Sequence, residues 1–232
     1  YTGPMDIDSY TKLYSKVFRV AYTAIKSQSR NARVFFSTDY EWKRANSNLM
    51  YGAKDFIDRF NADARRLHLA DRVKGVVGSM DALPFRAGEL DLIWSEGAIY
   101  NIGFEKGLTQ WRQFLKPDGF IAVTECSWLS SARPDEMGFF RDNFPEIDDI
   151  SGKIRCMERA GYRPVAHFIL PDSCWTENYY APAAARAREF LATYDDAPLA
   201  RHFVERLEEE IEQYRRYGRR YGYVFYIGQR TE

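Results

Sequence analysis

Two short stretches hold residue types that could do chemistry. Ser79-Met80-Asp81 follows the apolar run from Arg72 to Gly78, and Ser95-Glu96-Gly97 follows Leu90-Asp-Leu-Ile-Trp94. In both, a carboxylate stands just beyond a segment that predicts a strand. Open α/β sheets bind ligands beyond the carboxyl ends of their strands, so these positions are candidates for a binding site. A carboxylate accepts hydrogen bonds from amino and hydroxyl groups, and Gly97 permits close backbone approach to a ligand. Glu96 and Tyr100 are the candidates for taking a proton as catalytic base, with His167 a weaker choice. Each has a structural alternative. Asp81 could cap the turn before Leu83-Pro84, and Glu96 could accept backbone N–H groups. His167, inside an apolar strand, reads better as a packed structural histidine. Trp128, Trp175, Tyr179 and Tyr180 fall in segments after strands, where they could wall an aromatic pocket or cover the sheet edge.

The elements that must position these groups follow from periodicity. Tyr10, Leu13, Tyr14, Val17, Phe18, Ala21, Ala24 and Ile25 recur at helical spacing, and residues 32–38 read as a short buried strand ending at Asp39. Phe56, Ile57, Phe60, Ala64 and Leu67 mark a second amphipathic helix. From there the alternation is regular: strands over 72–78 and 90–95, then a helix carrying Leu108, Trp111 and Leu115. That helix is expected to stop at Lys116-Pro117-Asp118-Gly119. A strand at 120–126 follows, then a helix with Ile154, Met157 and Ala160 ended by Gly161, a strand at 165–170, helices over 183–194 and 199–217, and a last strand at 221–227. Such alternation predicts a doubly wound, mostly parallel α/β sheet of Rossmann-like type.

Bulk properties narrow the function class. The chain has 232 residues, enough for one large α/β domain or a domain with an appendage. Its 33 acidic and 33 basic side chains balance, which argues against an electrostatic nucleic-acid binder. Cys126, Cys156 and Cys174 lie far apart, without CxxC spacing, and with His68, His167 and His202 they make no zinc constellation. A reducing cytoplasm is the expected location. No apolar run approaches the roughly 20 residues of a membrane span, and no signal peptide opens the chain. Oligomeric state leaves no signal in the sequence; the C-terminal helices would serve equally as a lid or as a contact with another subunit.

Three blocks in fixed order carry a family resemblance. Arg72-Val-Lys-Gly-Val-Val-Gly-Ser-Met-Asp-Ala-Leu-Pro-Phe85 resembles the third strand and acidic loop of a class I S-adenosylmethionine-dependent methyltransferase. Leu90-Asp-Leu-Ile-Trp-Ser-Glu-Gly-Ala-Ile-Tyr-Asn-Ile-Gly-Phe104 is similar to its fourth strand and following loop. Trp111-Arg-Gln-Phe-Leu-Lys-Pro-Asp-Gly-Phe-Ile-Ala-Val-Thr-Glu125 resembles the helix, tight turn and fifth strand, and the tail resembles strands six and seven. The likeness is to bacterial small-molecule methyltransferases of the ubiquinone/menaquinone-biosynthesis type and covers residues 62–232. It implies S-adenosyl-L-methionine as cofactor and a small-molecule methyl acceptor. It also implies cofactor contacts at Ser79, Met80, Asp81, Ser95, Glu96 and Gly97. Asp81 would accept the adenine amino group, Met80 would pack on the adenine face, and Ser95, Glu96 and Gly97 would lie beside the sulfonium.

The resemblance stops upstream. The family's acidic-x-Gly-x-Gly loop after the first strand is missing, because Gly3 and Gly52 are the only glycines before residue 72. The expected ribose-binding carboxylate aligns with Tyr51, which cannot act as a double acceptor; Asp39 is a possible substitute. Residues 1–61 form an atypical helix-strand-helix segment. Within it, Ala21-Tyr-Thr-Ala-Ile-Lys-Ser27 and Asn31-Ala-Arg-Val-Phe-Phe-Ser-Thr-Asp-Tyr-Glu-Trp42 resemble a unit of a glycosidase-like (β/α)-barrel family. A seam between foreign and methyltransferase-like parts is therefore expected near Lys54 to Ala62. The leading expectation is S-adenosylmethionine-dependent methyl transfer. The alternative is a non-catalytic methyltransferase-like interaction domain, and a carbohydrate-active enzyme is the third reading.

Overall fold

The computed structural model describes residues 53–66, 76, 78–135, 137–193 and 197–232. The expected first helix, the strand at 32–38 and most of the strand at 72–78 lie outside the described residues. Helix α1 (Ala53–Arg66) runs unbroken through the expected seam and buries Phe60.

The described residues fall into two compact units. The first holds the described chain up to Glu125 together with Ser151–His167 and Phe225–Glu232; the second holds Cys126–Ile150 and Phe168–Val224.

In the first unit, strand β1 (Leu90–Ser95) buries Leu90, Ile93 and Ser95. Helix α2 (Phe104–Trp111) buries Phe104, Gly107, Leu108 and Trp111, the i, i+3, i+4, i+7 stripe of a helix packed on one face. Strand β2 (Leu115–Trp128) pairs in parallel with β1, in register from Leu92↔Phe120 to Ser95↔Val123. The expected helix stop at Lys116–Gly119 is displaced. The helix ends at Trp111, a 3-10 turn takes Arg112–Phe114, and Lys116–Gly119 form an excursion inside β2 between Leu90↔Leu115 and Leu92↔Phe120. Asp118 sits there at φ 61, Lys116 pairs with Asp91 at 2.7 Å, and a Cβ on Gly119 would meet the Lys116 carbonyl oxygen at 3.0 Å. A proline-glycine turn is thus absorbed by the sheet as a bulge.

Helix α4 (Ile150–Arg159) ends at Gly161, whose φ of 82 suits a helix-terminating glycine. Strands β4 (Tyr162–Ile169) and β5 (Tyr221–Arg230) complete the sheet in the order β1-β2-β5-β4. Thr231 N–H donates to the Gly161 carbonyl at 3.0 Å, and Leu170 N–H to the Tyr223 carbonyl at 2.9 Å, so β5 runs antiparallel to β4. Arg112 ties the chain end to the 3-10 turn through the carbonyls of Gly161, Thr231 and Glu232.

Strand β4 differs from the expectation that His167 is packed. Among the described residues it is the last strand in the order, an edge, and His167 is exposed rather than packed, with Val165 and Ile169 each half-exposed beside it. Periodicity marks a strand but not its place in the sheet.

The second unit is built on aromatic rings. Its elements are α3 (Gly138–Asn143), the short β3 (Asp148–Asp149) paired with β2, helical turns over 173–180, α5 (Ala181–Thr193) and α6 (Pro198–Tyr217). Trp128, Phe140, Trp175, Tyr180, Tyr214 and Tyr221 form one buried cluster. Trp175 stacks on Tyr223 at 4.9 Å and on Tyr214 at 5.1 Å, and Phe140 meets Trp128 and Tyr221 edge-on or tilted at 4.9 Å. Each such pair adds about 0.5–1.5 kcal/mol beyond the area it buries. The aromatic acceptor pocket weighed from sequence is therefore not made by these residues. Trp128, Trp175 and Tyr180 are core, and the half-buried Tyr179 packs against them.

Within that cluster Tyr180 Oη donates to Glu210 at 3.0 Å. Burial raises the Glu210 carboxyl above its ordinary 4.5, against the lowering effects of Tyr180 and Arg206. A raised folded-state value means the folded chain holds that proton more tightly than the unfolded chain. The stability it contributes is full below 4.5 and is lost as pH rises through the folded value. E210Q keeps an acceptor for Tyr180 without the charge. It should melt above the wild type at neutral pH and match it below pH 4.5 in paired thermal scans.

Candidate functional site

Both loops singled out from sequence are held by α2. At its far end, the buried Trp111 donates its indole N–H to the Met80 carbonyl at 2.8 Å, pinning the turn closed by Ala82 N–H on the Ser79 carbonyl at 3.0 Å. Gly78 precedes this turn without room for a side chain, since a Cβ would lie 2.6 Å from Pro84 Cδ. Ser79 Oγ donates to the Asp81 carboxylate. That hydrogen bond is the chief reason the carboxyl is held below its ordinary value, with Lys106 a smaller one. Asp81 is exposed, Met80 is half-buried, and the acid is ionised and presented outward.

The middle of α2 holds the second loop. Ile99 is fully buried, and a Cβ on Gly107 would come within 2.6 Å of Ile99 Cγ1. Glycine in a helix interior costs about 1 kcal/mol against alanine; here it makes room for the residue that anchors the loop. Gly107→Ala should therefore destabilise by about 1–3 kcal/mol through overpacking, read as a lower urea midpoint with an unchanged slope.

Between these anchors, β1 ends at Ser95. Its Oγ is buried and makes no hydrogen bond among the described residues. Native structures rarely leave such an atom unsatisfied. Glu96 is exposed, and its carboxylate accepts the Trp94 indole N–H, while Trp94 meets Phe225 edge-on at 5.0 Å. Gly97 has φ 57, and its N–H donates to Thr124 Oγ1 at 2.7 Å. Among the described residues a Cβ there would meet nothing within 4 Å, so the space before it is open. Tyr100, on the 3-10 turn Ile99–Asn101, is 49% exposed, and Asn101 Nδ2 donates to the Ala98 carbonyl at 2.9 Å.

The six expected binding residues and Tyr100 thus lie in one unit, on two loops braced by one helix. Sequence reasoning missed the braces: Trp111, Gly107, Trp94 and Thr124. Gly107 alone left a trace, as a glycine inside a helical stripe. Among the described residues no group of three His, Cys, Asp or Glu side chains could hold a metal, and no helix is long and apolar enough to cross a membrane.

The profile of the methyltransferase domain family matches residues 49–123, which include both loops, all of α2 and most of β2. Solved structures align over a larger part of the chain. A methyltransferase from Geobacter sulfurreducens, solved with S-adenosyl-L-homocysteine, is 20% identical with a TM-score of 0.61, over 75% of this chain and 71% of that one. The fold is that of the class I methyltransferases. A putative sarcosine dimethylglycine methyltransferase from Galdieria sulphuraria shares this methyltransferase fold at 19% identity and TM-score 0.59, over 77% of this chain and 66% of that one. So does the [4+2]-cyclase SpnF, at 17% and 0.58, over 76% and 62%. The chain spans less than two thirds of the length of these last two relatives. A family of unknown function, DUF5722, matches residues 1–68 and overlaps the methyltransferase match over residues 49–68. No curated protein matches the sequence.

Proposed function

We propose that this chain binds S-adenosyl-L-methionine at the two loops braced by α2 and transfers its methyl group to a small-molecule acceptor in the cytoplasm. The observation that carries this reading is the buried, unpartnered Ser95 Oγ beside a left-handed glycine that faces open space. A hydroxyl without a partner and a backbone without a side chain fit a polar ligand that approaches closely. The ionised Asp81 would accept the adenine amino group, and Met80 would lie against the ring. Ser95, Glu96 and Gly97 would meet the methionine-side end. Bound there, the cofactor supplies a methyl group on a positively charged sulfur, an electrophile already activated. The chain's own work is then positioning and exclusion of water. Glu96, held in place by Trp94, and the exposed Tyr100 are the groups able to take a proton from an acceptor that must lose one.

One observation favours a second reading, a methyltransferase-fold domain that serves as an interaction module: no Gly-x-Gly exists before residue 72. The relative named as a cyclase shows that this fold is not tied to one activity. As to organisation, residues 1–61 and 62–232 are proposed as distinct parts that join within α1 rather than at a flexible linker.

Titration calorimetry with S-adenosyl-L-homocysteine separates the two readings. Micromolar binding, weakened on the order of tenfold to a hundredfold by Asp81→Ala, supports the enzyme. No heat at millimolar ligand supports the interaction module.

A further inference from the structure

The β1–β2 ladder stops at Ser95↔Val123, one residue before Thr124. There β1 leaves the sheet, and the next bond between the two segments runs from backbone to side chain: Gly97 N–H donates to Thr124 Oγ1 at 2.7 Å across 27 positions of sequence. The turn it holds needs holding. Gly97 sits at φ 57 with nothing within 4 Å of its Cβ position, and glycine pays more backbone entropy than any other residue to keep one conformation. The residues around it are fixed, Glu96 through Trp94 and Ile99 through its burial against Gly107. Thr124 itself is 1% exposed, so it acts through Gly97 and not on a ligand. Threonine is β-branched, which restricts χ1 and limits the directions its hydroxyl can take.

We propose that Thr124 is a positioning residue of the site: its hydroxyl sets the Glu96–Gly97 turn in the form that meets the cofactor. This rests on the reading of the site given above. It assigns a role on β2, outside both loops, to a side chain that no ligand touches.

The test compares the full chain with T124V and T124S, reading the dissociation constant for S-adenosyl-L-homocysteine, the melting temperature and the exchange rate of the Gly97 amide. Valine keeps the shape and loses the acceptor; serine keeps the acceptor and loses a methyl group. Removal of one hydrogen bond that orders the turn is expected to weaken T124V about tenfold and to speed Gly97 exchange. T124S should bind within about twofold of the wild type even where its melting temperature drops further, because it retains the acceptor. A purely structural role would make affinity follow melting temperature, so equal weakening of both variants overturns the proposal. Wild-type affinity in T124V overturns it and leaves the cofactor reading standing. Failure of the wild type itself to bind removes the cofactor reading, and the proposal falls with it. Should T124V fail to fold, T124A takes its place against T124S, since both lose the methyl group and only serine retains the hydroxyl.

Discussion

Lys153→Met should cost about 3–5 kcal/mol of folding free energy, lowering the melting temperature by about 10 °C for a chain of this size. Lys153 Nζ lies 3.6 Å from Glu125 Oε1, and the two side chains are 4% and 5% exposed. The ammonium also sits 4.5 Å from the centre of the Phe104 ring, whose electron-rich face favours a cation. Methionine fills similar space, so the loss comes from removing the ammonium that faces the buried Glu125 carboxylate. The double variant K153M/E125L should recover most of that loss, because a buried ion pair replaced by apolar groups of like size is close to neutral. Urea unfolding of the two variants checks both statements. An unchanged K153M midpoint would mean that the other contacts of Glu125 are enough to hold its charge.

Gly97→Val is expected to separate binding from folding. At φ 57 a β-branched residue carries about 1–3 kcal/mol of strain. Among the described residues no atom lies within 4 Å of the new Cβ position, so the first added carbon meets no steric conflict. A ligand in that space would collide with the side chain, and affinity for S-adenosyl-L-homocysteine should fall by more than tenfold, a loss above about 1.4 kcal/mol. Gly97→Ala carries similar strain with less bulk and should lie between the two. A collapse of the melting transition in both variants would make Gly97 a folding residue and remove its binding role.

The parts of this molecule legible in sequence are those whose cause is local. The strand at 90–95, the helix α6 and the end of α4 at Gly161 follow from periodicity and one left-handed glycine, and the structure has them within a residue or two. The parts that were not legible depend on distant partners. Trp175 and Tyr180 read as pocket walls or as cover for the sheet edge until Tyr214, Tyr221 and Tyr223 fold onto them. His167 reads as packed until β4 is known to be an edge. Lys116–Gly119 carries every mark of a helix stop, yet the pairing of β1 with both flanks of β2 draws it into the sheet. Thr124 was hidden most completely. Within Ile-Ala-Val-Thr it is one more β-branched strand residue, and only its bond to Gly97 distinguishes it. The two candidate loops themselves were found because a carboxylate and a glycine stand just past a strand, a pattern that local sequence carries.

Residues 79–81 and 95–97 are proposed as the place where the nucleoside cofactor binds. Amide hydrogen exchange with and without S-adenosyl-L-homocysteine tests it most directly. The prediction is slowed exchange over residues 79–82 and 95–101, and none over α3 (Gly138–Asn143) in the second unit. Protection that appears only outside these two loops, or ligand binding with no protection at Gly97, would contradict it.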